Sequence, residues 1–177
     1  VTYPCTIMLI GAMNPCPCGY FGHPKRKCIC PPNKVSGYLS KISGPLLDRF
    51  DLHIEVAPVE FEDLSSKSKE EPSSAIRERV IAARKIQEER FKGTHITCNA
   101  LITPDKLQEF CPMDDSAEKL MKDVFDKLGL SARAYDRILK VARTIADING
   151  SEVIKRQHVA AAAQYRSLDR KYWSGGK

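Results

Sequence analysis

The sequence predicts an α+β chain in which a short α/β segment is followed by a bundle of helices. Three observations support this class: a continuous apolar run at residues 6–13, alternating apolar and polar residues at 50–56, and helical periodicity beyond residue 75. A continuous apolar run is typical of a strand covered on both faces, and alternation is typical of a strand with one buried face. Because two strands alone do not form a stable sheet, we expect these segments to lack partners within this chain.

The elements between and after the two predicted strands are helical. Residues 32–50 favour short helices interrupted at Gly37 and at the Gly44–Pro45 pair, and the polar stretch 62–74 predicts a linker or exposed loop. Five further helices follow. The first is predicted by the helical spacing of Ile76, Val80, Ala83 and Ile86, and the second by a start at Thr103–Pro104. The third is predicted by a capping box of Asp115 and Glu118, the fourth by a Ser131 cap, and the fifth by an alanine-rich stretch at 155–168. The fourth of these helices ends at Asn149–Gly150 and carries the apolar stripe Tyr135, Ile138, Leu139, Ala142, Ile145 and Ala146.

Composition and the length of the apolar runs indicate a globular chain and argue against a membrane-spanning one. With 42% hydrophobic and 28% charged residues among 177, the chain is typical of one ordinary globular domain or two small ones. The longest apolar run is too short to span a bilayer, and no basic-then-apolar leader follows Val1, so we expect a cytoplasmic protein without membrane contact. The opening "VTYPCTIMLIG" leads us to expect part of a longer protein. A net charge of +6 permits nucleic-acid contact without requiring it.

Two polar residues stand where ligands commonly bind. Asn14 closes the first predicted strand, and ligands of open α/β sheets lie beyond the carboxyl ends of strands, so its amide could orient a water or a phosphate oxygen. The alternative is that Asn14 and Pro15 only start a turn. Arg49 lies where a short helix precedes the second strand, and its guanidinium could stabilise charge on a transferring phosphoryl group across a subunit boundary. The alternative is a surface salt bridge with Asp48 or Asp51.

A basic face is predicted on the helix that starts at Ser131. Arg133, Arg137 and Lys140 share this face at helical spacing, away from the apolar stripe. Arg133 lies in the first turn, where the helix dipole favours an anion. The face could therefore bind phosphate, or it could simply be solvated.

Seven cysteines occur in the chain, and four of them are clustered in "CPCGYFGHPKRKCIC". Cys16, Cys18, Cys28 and Cys30 form two C-x-C arms that could surround one tetrahedral Zn²⁺, with His23 as a possible substitute ligand. Free thiols in a surface insert and a redox disulfide are the alternatives. The remaining residues, Cys5, Cys98 and Cys111, lie in apolar or helical contexts and favour packing roles.

Four segments together resemble the magnesium-chelatase-like branch of the AAA+ ATPases, the branch that includes competence-linked ATPases. They are "IGAMNPCPCGY", "SGPLLDRFDLHIEV", "GLSARAYDRILKVARTIADINGS" and "AAAAQYRSLDR", in the order of that family. The resemblance implies that Asn14 is the sensor-one residue, Arg49 the arginine finger and Arg133 the sensor-two arginine; Arg137 joins Arg133 as a predicted nucleotide contact. It also implies ATP and Mg²⁺ as cofactors, a homo-oligomeric ring, a hexamer, and action on DNA.

The same resemblance gives a predicted domain organisation. Residues 1–61 are the last part of an AAA+ core with a cysteine-rich insert at 16–30, residues 62–74 a linker, 75–171 the all-α helical lid, and 172–177 a tail. No G-x-x-x-x-G-K-[ST] phosphate loop and no apolar run ending in an Asp–Glu pair occur in the chain. We therefore expect the chain alone to be inactive in ATP hydrolysis.

A different class of function remains open, namely a non-enzymatic, zinc-stabilised nucleic-acid-binding module. The basic run 23–27 and the arginines at 77, 79, 84 and 90 would contact phosphates. These arginines alternate with Glu78, Glu88 and Glu89, which is more typical of a solvated helix face.

Overall fold

The computed structural model describes residues 7–59, 65 and 70–166, and helices predominate among them. The α-helices are α1 (Pro32–Leu39), α2 (Gly44–Leu47), α3 (Ser73–Arg90), α4 (Leu107–Phe110), α5 (Asp115–Leu128), α6 (Ala132–Ile148) and α7 (Arg156–Gln164), with 3-10 turns at Asn99–Leu101 and Pro104–Lys106. We call residues 7–59 the N-terminal part and residues 70–166 the helical part. None of the described helices is long and apolar enough to cross a bilayer.

The helical part is built around α6. This helix packs against α3 and α7, and α7 also packs against α5. The predicted apolar stripe of α6 is confirmed, because four of its residues are buried and Tyr135 and Ile145 pack against the same core. The buried core residues of the helical part are Phe91, Ile102, Leu107, Cys111, Ala117, Met121, Ile138, Leu139, Ala142, Ala146, Ile154, Val159 and Ala162.

Local capping determines where these helices begin and end. The Ser131 hydroxyl accepts a hydrogen bond from the Ala134 N–H at 3.2 Å, so the predicted N-cap of α6 is confirmed. The predicted end of α6 is confirmed too: Asn149 is the C-cap, and Gly150 adopts the left-handed φ of +63° that glycine favours. The α5 cap was predicted one residue too late, because Asp114 accepts from the Ala117 N–H at 2.7 Å.

One further prediction on helices needs correction. Gly37 does not interrupt α1, which runs through it to Leu39. The helix predicted from the spacing of Ile76, Val80, Ala83 and Ile86 is confirmed as α3; of these four residues only Ala83 is buried. The predicted linker falls mainly outside the described residues, although Ser73 and Ser74 already belong to α3. Residues 167–168 of the last predicted helix and the tail also lie outside the described residues.

The two predicted strands are not formed in the described residues. Residues 7–13 and 50–56 make no strand pairing, and the one bridge found in the described ranges joins Met113 to Ile154 in the helical part. The side chains of Ile7, Met8 and Val56 are 75%, 86% and 85% exposed. These segments have the apolar pattern of strands but no neighbouring strand with which to form ladder hydrogen bonds. The expected AAA+ core is therefore not seen in the N-terminal part.

Candidate functional site

The four clustered cysteines converge on one point. Their sulfur atoms all lie within 4.8 Å of one another. Cys16 Sγ is 3.4 Å from Cys18 Sγ and 3.7 Å from Cys28 Sγ, and the Cys18 and Cys28 sulfurs are 3.5 Å apart. We call residues 16–30 the cysteine loop. It is closed by two short C-x-C arms that approach each other although nine residues separate them.

This geometry fits a tetrahedral metal ion with four thiolate ligands. Sulfurs bound at about 2.3 Å to one zinc are about 3.8 Å apart along each edge of the tetrahedron. The observed separations of 3.4, 3.5 and 3.7 Å come close to that edge, and all four cysteines are free rather than paired in disulfides. The arrangement of the donors therefore suits a closed metal site of the structural type.

The loop backbone is arranged around the sulfur atoms. The Phe21 N–H donates to Cys16 Sγ at 3.3 Å, and the Cys30 N–H donates to Cys28 Sγ at 3.4 Å. A backbone hydrogen bond from Tyr20 lowers the pKa of Cys18 to about 6. Backbone N–H donors of this kind offset the negative charge that several thiolates would accumulate at one point. Cys16 is fully buried and packs with Val35 and Leu39 of α1, which are the buried residues of the N-terminal part next to the loop.

His23 lies outside the group of converging ligand atoms. Its Nδ1 accepts hydrogen bonds from the backbone N–H groups of Lys25 and Arg26, both at 3.0 Å. These bonds shape the turn at the tip of the loop. Arg26 Nη1 donates to the Tyr20 hydroxyl at 2.7 Å, and its guanidinium lies over the Tyr20 ring. The turn leaves Lys25, Arg26 and Lys27 exposed.

Asn14 immediately precedes the cysteine loop and is exposed. Its side chain lies over Gly19, where an added Cβ would be 3.8 Å from Asn14 Nδ2. Gly19 also has the left-handed φ of +82°, so a larger residue there would be strained. The Asn14 amide therefore lies beside the cysteine loop. Its predicted contact with nucleotide stays a prediction.

Arg49 is exposed, and its Nη1 donates to the Pro45 carbonyl at 2.7 Å. The two neighbouring carboxylates considered as salt-bridge partners bind other residues instead. Asp48 accepts from the Ser131 hydroxyl at 3.0 Å and from Arg166 Nη2 at 3.4 Å, and Asp51 pairs with Arg137. The guanidinium of Arg49 is thus held against its own helical turn rather than by either adjacent acid.

The segment 48–53, which contains Arg49, is bound at several points by the helical part. Besides the two carboxylate contacts, the buried Arg166 donates to the Phe50 carbonyl, and the His53 N–H donates to the Tyr165 carbonyl at 2.9 Å. The partners come from the start of α6, its second turn, and the residues just after α7. The helical part therefore fixes the backbone on both sides of Arg49.

The three residues of the predicted basic face of α6 have different contacts. Arg133 is exposed, and among the described residues its guanidinium has no hydrogen-bond or ion-pair partner. Arg137 is paired with Asp51, and Lys140 donates to the Ala100 carbonyl at 3.2 Å. The Asp48 carboxylate lies at the start of α6, where it accepts the Ser131 hydroxyl, and the helix dipole makes this a favourable position for a negative charge. The predicted nucleotide contacts of Arg133 and Arg137 stay predictions.

Sequence reasoning missed a buried polar network in the helical part. Arg143 and Asp147 are 0% and 2% exposed, and Arg143 Nε donates to Asp147 Oδ1 at 3.1 Å. Arg90 of α3 makes a two-pronged contact with the same carboxylate, which also accepts from Asn99 Nδ2 at 2.7 Å. The i, i+4 spacing of an arginine and an aspartate within an apolar helix was the available signal. The buried Arg166 gave no comparable signal in the sequence.

One cavity of about 260 Å³ lies between α3 and the Asn99–Leu101 turn. It is open to solvent and mostly apolar. Arg84, a predicted phosphate contact of the nucleic-acid-binding alternative, lines it, and none of the predicted nucleotide or metal residues does. Its lining residues are Val80, Ala83, Arg84, Gln87, Cys98, Asn99, Ala100, Thr144 and Ile148.

Comparison with known proteins matches both parts of the chain to one family. Residues 70–166 match the family model of the C-terminal region of magnesium chelatase subunit ChlI, and residues 1–64 match that of magnesium chelatase subunit ChlI. The chain is 40% identical over 172 residues to the uncharacterized protein YifB of Escherichia coli K12 and 42% identical to YifB of Salmonella typhimurium. It is 37% identical over 171 residues to the competence protein ComM of Haemophilus influenzae. Each alignment covers 96% of this chain but 32% or 33% of the relative, so the chain spans about a third of these relatives' length.

Proposed function

Since this chain belongs to the magnesium chelatase ChlI family, we propose that it is the C-terminal portion of an AAA+ ATPase. In this proposal the longer protein binds ATP and Mg²⁺ at the interfaces of a homo-oligomeric ring, a hexamer, and hydrolysis there drives remodelling of DNA. The phosphate loop is absent from the chain. The chain alone should therefore show no ATP turnover, and robust turnover by the isolated chain would contradict the proposal.

The observation that carries the proposal is the attachment of the 48–53 segment to α6. The segment holds the candidate arginine finger, and the first turn of α6 holds Arg133, the candidate sensor-two residue. Ser131, two residues before Arg133, donates to Asp48, one residue before Arg49. Both guanidinium groups are exposed, as residues that meet a bound nucleotide from opposite subunits must be.

Each predicted site residue has a role in this scheme that its chemistry can perform. Arg49 stabilises negative charge on the transferred phosphoryl group at the neighbouring subunit's site, because a guanidinium is always charged and can contact two oxygens at once. Arg133 contacts the phosphates held by its own subunit. Asn14 orients the attacking water through a neutral amide. When bound, Mg²⁺ would neutralise charge on the phosphates, and its ligands belong to the longer protein.

Replacing Arg49 with alanine in the full-length protein tests the proposal. We expect ATP hydrolysis to fall by about 10³-fold or more, while nucleotide binding is retained, because a finger acts on the transition state rather than on binding. Mixing Arg49→Ala subunits with subunits disabled in the phosphate loop should restore part of the activity, since each contributes what the other lacks. Loss of nucleotide binding in the Arg49→Ala protein would contradict the assigned role.

We also propose that Cys16, Cys18, Cys28 and Cys30 hold one structural Zn²⁺. The support is the convergence of four sulfurs at near-tetrahedral separations, with backbone N–H donors directed at two of them. Protein purified without added metal should contain close to one equivalent of zinc by elemental analysis. Cys18→Ser should lose this metal and Cys98→Ser, outside the cluster, should keep it. Less than half an equivalent in the unmodified protein would contradict the site.

The second candidate function is nucleic-acid binding by the chain itself, and the exposed cations at the tip of the cysteine loop favour it. Lys25, Arg26 and Lys27 are consecutive exposed residues in a turn whose backbone is held by His23. If this module binds DNA directly, the isolated chain should bind forked or duplex DNA tightly and with strong salt dependence. Exchanging Lys25 and Lys27 for glutamine should then reduce the salt slope by about one unit per lysine. Weak binding at low salt would favour the ATPase interpretation alone.

A further inference from the structure

The two acids that flank Arg49 both bind the helical part, and neither binds Arg49. Asp48 is held by Ser131 at 3.0 Å and by the buried Arg166 at 3.4 Å. Asp51 is held by Arg137 on the second turn of α6. The Phe50 carbonyl and the His53 N–H between and beyond them are bound by Arg166 and Tyr165. The side chain of Arg49 is left exposed in the middle of this attached segment.

We propose that Asp48 and Asp51 are positioning residues that make Arg49 move with the helical part of its own subunit. The inference rests on the proposed function, in which Arg133 on α6 contacts the subunit's own nucleotide and Arg49 acts on the neighbour's. A rotation of α6 that follows nucleotide binding in one subunit is then transmitted through these contacts to Arg49. The contacts couple adjacent sites of the ring.

The two contacts differ in strength and in role. Arg166 is 2% exposed and needs an acceptor for its charge, so Asp48 and the Phe50 carbonyl anchor the segment. Asp48 also lies at the positive end of the α6 dipole. The Asp51–Arg137 pair is partly exposed, with side chains 53% and 30% accessible, so it can break and re-form as α6 turns. The anchor determines where Arg49 sits, and the outer pair determines how closely it follows α6.

A double-mutant cycle in the full-length protein tests the coupling. In this inference Arg137 acts on Asp51 and not on nucleotide. Asp51→Asn and Arg137→Gln should therefore each lower kcat for ATP hydrolysis about two- to fivefold, the range of a partly exposed ion pair, with KM for ATP unchanged. Because each residue acts through the other, the double variant should be no slower than either single variant. Asp48→Asn should lower kcat about tenfold or more, since it leaves Arg166 with a weaker partner. Glu71→Gln removes the exposed Arg79–Glu71 pair and serves as the matched control, with kcat unchanged.

Mixing experiments separate positioning of the finger from damage to the subunit's own site. Asp51→Asn subunits keep an intact nucleotide site, so mixing them with phosphate-loop-disabled subunits should raise the activity per Asp51→Asn subunit toward the unmodified rate. Four results would each overturn the inference. The single variants could hydrolyse ATP at the unmodified rate, or the losses in kcat of the two single variants could multiply in the double variant. The KM for ATP could rise, or the activity per Asp51→Asn subunit could fail to increase on mixing. If instead the unmodified protein shows no ATP hydrolysis, or Arg49→Ala keeps full activity, the proposed function itself fails and the inference fails with it.

Discussion

The N-terminal part and the helical part bury their apolar residues to very different degrees. In residues 70–166 the apolar stripes of α5, α6 and α7 meet in one core that includes Ile138 and Val159, at 1% and 0% exposed. In residues 7–59 the apolar runs point into solvent, with Ile10 84% exposed and Ile54 65%. The buried apolar residues there are few and lie beside the cysteine loop and on α2.

The difference shows which sequence patterns can be satisfied locally. A helix completes its own backbone hydrogen bonds, so an amphipathic helix needs only another apolar face to become stable. A strand leaves its N–H and C=O groups unpaired until a second strand arrives, and its partners are distant in sequence. In the N-terminal part, most of the buried apolar residues lie around the four cysteines, whose arms are close in the chain.

The largest expected difference between the two parts is in amide protection after the metal is removed. With the proposed zinc extracted by a strong chelator, amide protons of residues 16–39 should lose their protection, because metal binding of about 10–16 kcal/mol is the main source of structure in small Cys-rich sites. Protection in α6 should be unchanged. Amide hydrogen exchange measures both regions at once, and the Cys98→Ser protein is the control for nonspecific thiol effects. Equal loss of protection in α6 would show that the two parts fold as one unit.

The next largest effect is expected inside the helical part, at Asp147. Asp147→Asn leaves the buried Arg143 and the adjacent Arg90 without a negative partner, which should cost about 3–5 kcal/mol of unfolding free energy. Urea unfolding followed by far-UV circular dichroism measures this loss. Asp123→Asn, on the exposed face of α5, makes the same chemical change and should stay within about 0.5 kcal/mol of the parent. A loss below about 1 kcal/mol at Asp147 would mean that the network contributes little to stability.

Much of the helical part could be predicted from the sequence because its determinants are short-range. The Ser131 cap, the α6 stripe and the Asn149–Gly150 end each depend on residues within about two turns of one another. The α5 cap was displaced by one residue because Asp114 and Asp115 are chemically equivalent candidates and only backbone geometry selects between them. The spacing of the four cysteines likewise predicted their convergence.

Interactions between segments distant in sequence could not be predicted in this way. Asp48 and Arg166 are 118 residues apart, and nothing local distinguishes either from an ordinary surface charge. The apolar spacing on α3 predicted the helix, but periodicity shows that a face is apolar without showing what covers it, and Ile76, Val80 and Ile86 stay exposed. The nucleotide contact predicted for Asn14 stays a prediction, since the contact that the structure gives its amide is with Gly19.

A smaller effect is expected from pH, through His158 at the start of α7. Burial, and then the positive charges of Arg143 and Lys155, lower the pKa of His158, while Asp114 opposes the shift. The unfolded chain therefore binds a proton near pH 6.5 and the folded chain only at lower pH. Between these values the unfolded state holds more protons, so stability falls as pH decreases below about 6.5.

Urea unfolding at pH 7.5 and 5.5 checks this sign in the parent and in His158→Gln. The parent should lose more stability on acidification than the variant, because glutamine has no proton to take up. At pH 7.5 the variant should already be less stable than the parent. Nδ1 of His158 accepts the Lys155 N–H at 3.0 Å, and the side chain of His158 is buried. An identical pH dependence in the two proteins would exclude His158 as the group responsible.

The smallest effect is expected at an apolar residue of the N-terminal part. Ile54→Thr should change the unfolding free energy of the chain by less than about 0.5 kcal/mol, because the side chain is 65% exposed and loses little contact. The same exchange at Ile138, 1% exposed, removes buried apolar surface and places a hydroxyl in the core, which should cost about 2 kcal/mol or more. If residues 50–56 pair as a strand in the full-length protein, with residue 54 on its buried face as the alternation predicts, the two costs measured there should become similar. A persistent difference there would mean that residues 50–56 stay exposed even with the rest of the protein present.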